Sequence, residues 1–192
     1  MLGGNLGNSI IKLVSEFSEL EGIKSLQDQN LKKNLSSSDA EREGFVTAEY
    51  SIEFLQSLHE KSPSIIAKDD DLIVGYALVA LKSIRDQHEL LADLFNSIDK
   101  IEYNGQLLKN SNYVVVGQLC VAKKYRGLGL VKQMYQYFKA SLSGKFDYCL
   151  TDIAENNPRS LKSHLKTGFR IVDTLHYGGI NWNIVLWDWN AK

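Results

Sequence analysis

The stretch VAKKYRGLGLVKQMYQYF, residues 121–138, constrains this chain most, because it turns an apolar strand directly into a helix. Gly127 and Gly129 permit a close backbone approach that side chains would block. A helix that begins near residue 129 adds unsatisfied N–H groups and the positive end of its dipole. With the basic residues of the turn, this arrangement favours phosphate. A solvated strand-to-helix turn stays an alternative, since neither G-x-x-x-x-G-K-[ST] nor G-x-G-x-x-G is present.

The remaining pattern predicts a mixed α/β fold with a partly antiparallel sheet. Strand-like runs occur at 10–14, 64–68, 72–81, 113–122, 146–154, 169–177 and 180–189, with helical patterns before and between them. Capping signals place helix starts near Ser18, Ser38, Ser51 and Asn157, the last followed by Pro158 at the first helical position. Gly117, inside a strand, predicts a bulge or a close approach by another chain segment or ligand.

Length and internal pattern predict a single domain over residues 1–192, since no repeat or linker divides the chain. Between the hairpin at 64–81 and the strand at 113–122, an inserted segment of about 83–111 is expected to be partly helical. It contains the Asn104-Gly105 turn signal.

Composition excludes some classes of partner. The net charge of −1 creates no global field that favours nucleic acid or an anionic membrane. No apolar run approaches the roughly 20 residues of a membrane helix, and the first residues make a poor signal peptide. Cys120 and Cys149 lie in strand-like runs and are expected to be buried free thiols, which fits a reducing cytoplasm. No Cys/His cluster has metal-ligand spacing, so no metal is expected.

Residues 113–170 resemble the core of the GCN5-related N-acetyltransferase (GNAT) superfamily through two motifs at the expected separation. A strand ends in Leu119-Cys120-Val121 and runs into KYRGLG at 124–129, which is similar to the family pattern [Q/R]-x-x-G-x-[G/A]. The second motif follows about 30 residues later and comprises Asn157, Ser160, His164, Gly168 and Phe169.

The resemblance implies a mixed six- or seven-stranded sheet with helices on both faces and a splayed central strand pair. It also implies acetyl-CoA as cosubstrate, with the pyrophosphate on the glycine turn and the pantetheine arm along the preceding strand. The implied cofactor-binding residues are Leu119, Cys120, Val121, Lys124, Arg126, Gly127, Leu128, Gly129, Leu130, Asn157, Arg159 and Ser160.

Two positions depart from the family pattern. Lys124 stands where Gln or Arg is usual, which keeps the charge of Arg but loses planar hydrogen bonding. His164 stands where the family often has a tyrosine that donates a proton to the departing thiolate. A histidine could serve as that general acid, and packing or capping at this position is the alternative.

The acceptor side gives weaker signals. Asp152 and Glu155, at the end of one strand, are the candidate general bases, because an attacking amine must lose a proton. Gln118 stands where some relatives have a glutamate base, and it cannot act as one. His176 and Tyr177 could line the acceptor pocket. Trp187 and Trp189 share a strand face, which core packing or a subunit interface explains.

The sequence therefore predicts a cytoplasmic acetyl-CoA-dependent N-acetyltransferase that acts on the primary amine of a small molecule, a peptide or a protein. A non-catalytic acyl-CoA-binding regulatory module is the alternative, and a longer acyl or aminoacyl donor stays open. Neither a nucleic-acid nor a membrane partner is expected, and a homodimer stays open.

Overall fold

A computed structural model describes residues 9–35 and 45–191. The helix predicted after Ser38 lies outside these ranges. The nine strands of the described residues are β1 (Ile10–Leu13), β2 (Ile65–Asp69), β3 (Leu72–Ala80), β4 (Glu102–Tyr103), β5 (Gln106–Leu107), β6 (Tyr113–Val121), β7 (Tyr148–Ala154), β8 (Arg170–Tyr177) and β9 (Ile180–Asp188).

Five α-helices connect these strands within the described ranges. They are α1 (Phe17–Asn30), α2 (Ile52–Lys61), α3 (Glu89–Ile98), α4 (Leu130–Leu142) and α5 (Pro158–Thr167). Short 3₁₀ turns occupy Lys32–Asn34, Lys82–Gln87, Leu108–Asn110 and Lys123–Tyr125.

Side-chain caps set the starts of α2 and α5. The Ser51 side chain accepts a hydrogen bond from the N–H of Phe54, as an N-cap does. Asn157 does the same for the N–H of Ser160 at the start of α5. The helix predicted near Ser18 is present as α1, but the cap predicted at Ser18 is wrong, because α1 begins at Phe17 and its N-cap is Glu16.

Seven strands form one sheet in the order β1-β2-β3-β6-β7-β9-β8. Every neighbouring pair is antiparallel except β6 and β7, which are parallel. That parallel pairing covers only Tyr113–Val115 against Tyr148–Leu150. Beyond it the two strands no longer pair with each other, although β6 stays paired with β3 and β7 with β9. The sheet therefore contains the expected splayed central pair, and the opening between these two strands is called the fork below.

A bulge in β6 lies at the root of the fork. Between β3 and β6 the partners change from Ala77↔Leu119 to Val79↔Val116, so β6 carries one extra residue around Gly117. The Thr151 hydroxyl donates to the carbonyl of Val116 at 2.8 Å, where the parallel pairing has ended. This side-chain bond satisfies a main-chain acceptor that the diverging strand no longer reaches.

Helices cover both faces of the sheet. Buried side chains of α1, α2 and α3 pack on one face, and those of α4 pack on the other. The second face carries an aromatic group in which Tyr135, Phe169 and Trp187 are in contact. Trp187 also meets Trp189 edge to face, with ring centroids 6.0 Å apart. Core packing thus accounts for both tryptophans.

The segment between β3 and β6 is folded, with a 3₁₀ turn, α3 and the two-stranded β4–β5 hairpin. Asn104 and Gly105 both have positive φ, as the turn signal in the sequence requires. In the ranges 9–35 and 45–191, no helix is long and apolar enough to cross a membrane. The same residues contain no group of three or more acidic, His or Cys side chains that could hold a metal ion.

Candidate functional site

The larger of two cavities at the fork has a volume of about 380 Å³ and lies between the end of β6, the start of α4 and the outer part of α5. Of the residues that the sequence assigned to the cofactor, the following line it: Leu119, Cys120, Val121, Arg126, Gly127, Gly129, Leu130, Asn157, Arg159 and Ser160. Residues from motifs about 30 positions apart in the chain therefore share one cavity.

The turn before α4 depends on its two glycines. Gly127 has φ +82° and Gly129 has φ +84°, in the left-handed region that L side chains rarely adopt. Gly129 is the N-cap of α4 and offers no side chain to its first N–H groups. No atom lies within 4 Å of a Cβ built on Gly127, so the space beside this main chain is open. The turn is thus shaped to receive an anion on its amides.

Arg126 is partly buried and folds back onto the protein. Its Nε donates to the carbonyl of Val121 at 2.8 Å, and its Nη2 donates to the Asn30 side chain. The guanidinium therefore ties the end of α1 to the glycine turn while it lines the cavity. The sequence indicated the charge of this residue but not its contact with α1.

Lys124 and Leu128, also assigned to the cofactor, do not line the cavity. Lys124 is exposed on the 3₁₀ turn, and Leu128 lies between the two left-handed glycines. Lys132 and Lys166, which sequence reasoning missed, do line the cavity from α4 and α5. The position of Lys132 three residues after the N-cap could have indicated its proximity to an anion at the helix start.

The smaller cavity lies inside the fork. Its walls include Gly117 and Gln118 from β6, Asp152 from β7 and Trp182 from β9. It shares six lining residues with the larger cavity, namely Phe45, Val46, Leu119, Asn157, Ser160 and His164. The two cavities therefore meet where β6 and β7 diverge, and a ligand in the larger one can reach the smaller one.

Asp152 is the carboxylate of the smaller cavity. Burial raises its pKa to about 7, although the side chain retains partial exposure where it lines the cavity. Burial and, secondly, the charge of Asp152 also raise the pKa of Tyr50, which lies close by. A carboxyl group with this pKa can gain and release a proton near neutral pH.

The other acceptor-side candidates lie outside this cavity. Glu155 is exposed, and its carboxylate accepts a hydrogen bond from Asn181 at 3.2 Å. His176 hydrogen-bonds to Asn181 through Nδ1 at 2.9 Å. The carbonyl of Tyr177 accepts a hydrogen bond from the indole N–H of Trp182. Trp182 lines the cavity, although the sequence did not indicate it as an acceptor-side residue.

His164 is buried between α5 and α4, and both ring nitrogens have partners. Nδ1 lies 2.9 Å from the carbonyl of Ser160, and Nε2 lies 2.6 Å from the hydroxyl of Tyr135. A carbonyl only accepts, so Nδ1 carries the proton and Nε2 accepts from the hydroxyl. Burial lowers the pKa of His164 to about 4. The ring is therefore neutral near pH 7, and its single N–H is already donated.

Cys120 lines the larger cavity, but burial raises the pKa of its thiol to about 12. The thiol therefore stays protonated near neutral pH, which fits its assignment as a wall of the cavity rather than a nucleophile.

Sheet and site together define a class of protein. A left-handed glycine turn at a helix start, a forked parallel strand pair and a buried carboxyl group inside the fork are compatible with an acyltransferase that uses a phosphate-bearing donor. The model of the acetyltransferase (GNAT) family matches residues 30–169, which is more than half of the chain. The chain belongs to this family, and it is an acetyltransferase.

Solved structures share the fold over nearly the whole chain. A GNAT-family acetyltransferase from Streptococcus agalactiae has a TM-score of 0.65 at 16% identity, covering 95% of this chain and 96% of its own. NAA60 of Arabidopsis thaliana in complex with acetyl-CoA has a TM-score of 0.64 at 18% identity, covering 94% of this chain and 99% of its own. A chain of the NatC complex bound to Gag peptide and CoA has a TM-score of 0.64 at 15% identity, covering 94% of this chain and 98% of its own. No curated protein matched in the sequence comparison.

Proposed function

We propose that this protein transfers an acetyl group from acetyl-CoA to a primary amine, with the cosubstrate in the larger cavity and the amine entering the smaller one. The observation that carries the proposal is the junction of the two cavities at the fork, with the glycine turn on one side and Asp152 on the other. Two structures with this fold support this choice of donor: Arabidopsis NAA60 binds acetyl-CoA, and the NatC complex binds CoA.

The residues of the fork account for the proton that the reaction releases. The amine nitrogen attacks the thioester carbonyl, a C–N bond forms, the C–S bond breaks, and CoA leaves as the thiolate. The ionised Asp152 accepts the proton that the amine loses, directly or through one water, and its pKa of about 7 suits that transfer. Main-chain N–H groups along the free edge of β6 are the candidate donors to the developing oxyanion.

In this proposal His164 is a packing residue rather than the general acid. Its neutral ring accepts from Tyr135 and donates to the Ser160 carbonyl, so it has no proton to offer a thiolate. CoA thiolate is a good leaving group, and transfer can proceed without a strong acid. His164 then fixes α5 against α4 and so sets the spacing of two cavity walls.

The acceptor class is a small amine or the amino group of a peptide or protein. The Gag peptide in the NatC complex supports the second choice, because a chain of that complex shares this fold. The inserted segment of about 83–111 reaches the smaller cavity through Leu90, so it takes part in acceptor selection. We place the reaction in one domain formed by residues 1–192, without metal, in the cytoplasm.

Calorimetry with CoA and acetyl-CoA tests the donor site, and thiol release across alkylamines and peptides with free α-amino groups tests transfer. We expect binding of both the free thiol CoA and its thioester acetyl-CoA, and turnover with at least one amine class. Binding without turnover across the panel would favour the non-catalytic acyl-CoA-binding module, and the absence of binding would refute the proposal. Competition with longer acyl-CoA thioesters separates acetyl transfer from transfer of a larger group.

A further inference from the structure

A strap formed by residues 45–50 crosses the fork and forms a wall of both cavities. Near its first residues, the N–H of Val46 donates to the carbonyl of Asn30 at 3.0 Å. The Asn157 side chain donates to the carbonyl of Phe45 at 3.3 Å. This end of the strap is therefore attached to α1 and to the start of α5, beside the larger cavity.

The other end of the strap is attached by two buried glutamines. Gln118 of β6 donates through Nε2 to the carbonyl of Ala48 at 2.8 Å. Gln27 of α1 accepts from the N–H of Tyr50 at 2.9 Å and donates to Oε1 of Gln118 at 3.1 Å. The hydroxyl of Tyr76 also donates to that oxygen, at 2.6 Å. These four contacts are called the amide relay below.

The relay fixes the direction of each side-chain amide. Oε1 of Gln118 accepts twice, so its NH₂ group must face the strap, and Oε1 of Gln27 must face the N–H of Tyr50. Gln27 is fully buried and Gln118 is 8% exposed, so losing one member leaves a buried polar group without a partner. The hydroxyl of Tyr50 adds a bond to the carbonyl of Gly117 at 3.1 Å, which ties the strap to the bulge in β6.

The position of the relay links it to the acceptor. Thr47, Ala48 and Gln118 line the smaller cavity and not the larger one. Asp152 lies across the same cavity, and Tyr50, the last residue of the strap, lies close to it. A shift of this end of the strap would change the space opposite Asp152 and leave the glycine turn in place.

We propose that Gln27 and Gln118 are positioning residues, which hold the acceptor end of the strap opposite Asp152 without touching the donor. The assignment of this end to the acceptor rests on the proposed function. It follows that weakening the relay raises the KM for the amine and leaves the affinity for CoA unchanged.

The test compares Gln118→Met and Tyr76→Phe with a matched control, Tyr113→Phe. Tyr76 and Tyr113 are both buried, and each donates its hydroxyl bond to one side-chain oxygen, Tyr113 to Asp99 at 2.7 Å. Tyr113 lies at the start of β6, outside both cavities. Hydrogen exchange of residues 45–50 in the free protein, calorimetry with CoA, and KM and kcat for the best amine of the panel are the readouts.

We expect faster exchange of the strap in Gln118→Met and, to a smaller extent, in Tyr76→Phe. Gln118→Met removes three relay bonds, of which one, from Nε2 to the carbonyl of Ala48, reaches the strap. The amine KM should rise about tenfold, the effect of losing that one buried hydrogen bond, with the CoA dissociation constant within twofold. Tyr113→Phe should leave both the strap and the amine KM unchanged. If Gln118→Met does not fold, Tyr76→Phe carries the same comparison.

The outcomes separate the relay from the proposed function. Unchanged strap exchange in both relay variants would overturn the relay. Faster exchange with an unchanged amine KM, or an equal effect in Tyr113→Phe, would overturn its role in acceptor positioning. If the wild type turns over no amine, the proposed function and the acceptor role fail together, and exchange alone then decides whether the relay holds the strap.

Discussion

At the residue scale, two carboxylates three positions apart at the end of β7 have different environments. Asp152 lines the smaller cavity and has a pKa of about 7, whereas Glu155 is exposed. The sequence could name both as candidate bases because both lie at the end of a strand at the predicted cleft. It could not choose between them, since the choice depends on burial by residues from β6, β9 and the strap.

Asp152→Asn should lower kcat at least about hundredfold, the lower range for loss of a general base. The wild-type kcat should rise with pH through about 7, because only the ionised carboxyl accepts a proton. The variant should lack this ionisation. Thiol-release kinetics from pH 5.5 to 8.5 measure both effects, with Glu155→Gln as the matched carboxyl-to-amide control. Equal losses in the two variants would contradict the assignment.

The same substitution has a consequence for stability. Burial raises the pKa of Asp152 from an ordinary value of 3.8 to about 7, so the folded state holds a proton that the unfolded state releases between these pH values. The stability contributed by this group is complete below about pH 4 and is lost as the pH rises to about 7. Between pH 4 and 7 the free energy of unfolding of Asp152→Asn should therefore increase relative to that of the wild type, and above pH 7 the difference should stay constant. Thermal unfolding of both proteins across this range measures the difference.

His164→Phe tests the role of the buried imidazole. The change leaves the Tyr135 hydroxyl and the Ser160 carbonyl without their partner, which should cost about 1–3 kcal/mol of the free energy of unfolding. The CoA affinity should fall as α5 shifts against α4, whereas the pH profile of kcat should keep its shape. A lost alkaline limb in that profile would identify His164 as the general acid instead.

At the element scale, the glycine turn illustrates what local sequence can predict. Positive φ at Gly127 and Gly129, and the Asn157 cap of α5, depend on a few adjacent residues, so the motifs revealed them. The strap depends on bonds between distant positions, such as Gln118 to Ala48, 70 residues apart. No short pattern contains such a pair, and the sequence treated Gln118 only as an absent base.

Gly127→Ala and Gly105→Ala form a matched pair for the turn. Gly127 has φ +82° and Gly105 has φ +79°, and neither would bring a Cβ within 4 Å of another atom. Each substitution should cost about 1–2 kcal/mol of the free energy of unfolding through the left-handed backbone. Only Gly127→Ala places a methyl group in the larger cavity, so only it should weaken CoA binding, by tenfold or more in calorimetry. Equal CoA affinity in the two variants would exclude the turn from the donor site.

At the scale of the whole molecule, the sequence predicted more of the fold than of the site. The strand runs and their order predicted a mixed sheet, and the resemblance supplied the splayed pair that β6 and β7 form. The side chains that meet inside the fork come from α1, the strap, β6, β7, β9 and α5. Their proximity is a property of the assembled sheet, which explains why Trp182 and Lys166 were missed.

Because the larger cavity joins the starts of α4 and α5 to the strap, its ligand should stabilise the whole domain. CoA at 100 times its dissociation constant should add about 2.7 kcal/mol to the free energy of unfolding. For a chain of this length, that corresponds to a rise in Tm of roughly 5–11 °C. Asp152→Asn should show the same rise, because its side chain lines only the smaller cavity. A rise in the wild type that Asp152→Asn lacks would mean that the carboxylate takes part in donor binding, and no rise in either protein would mean that CoA does not bind the folded domain.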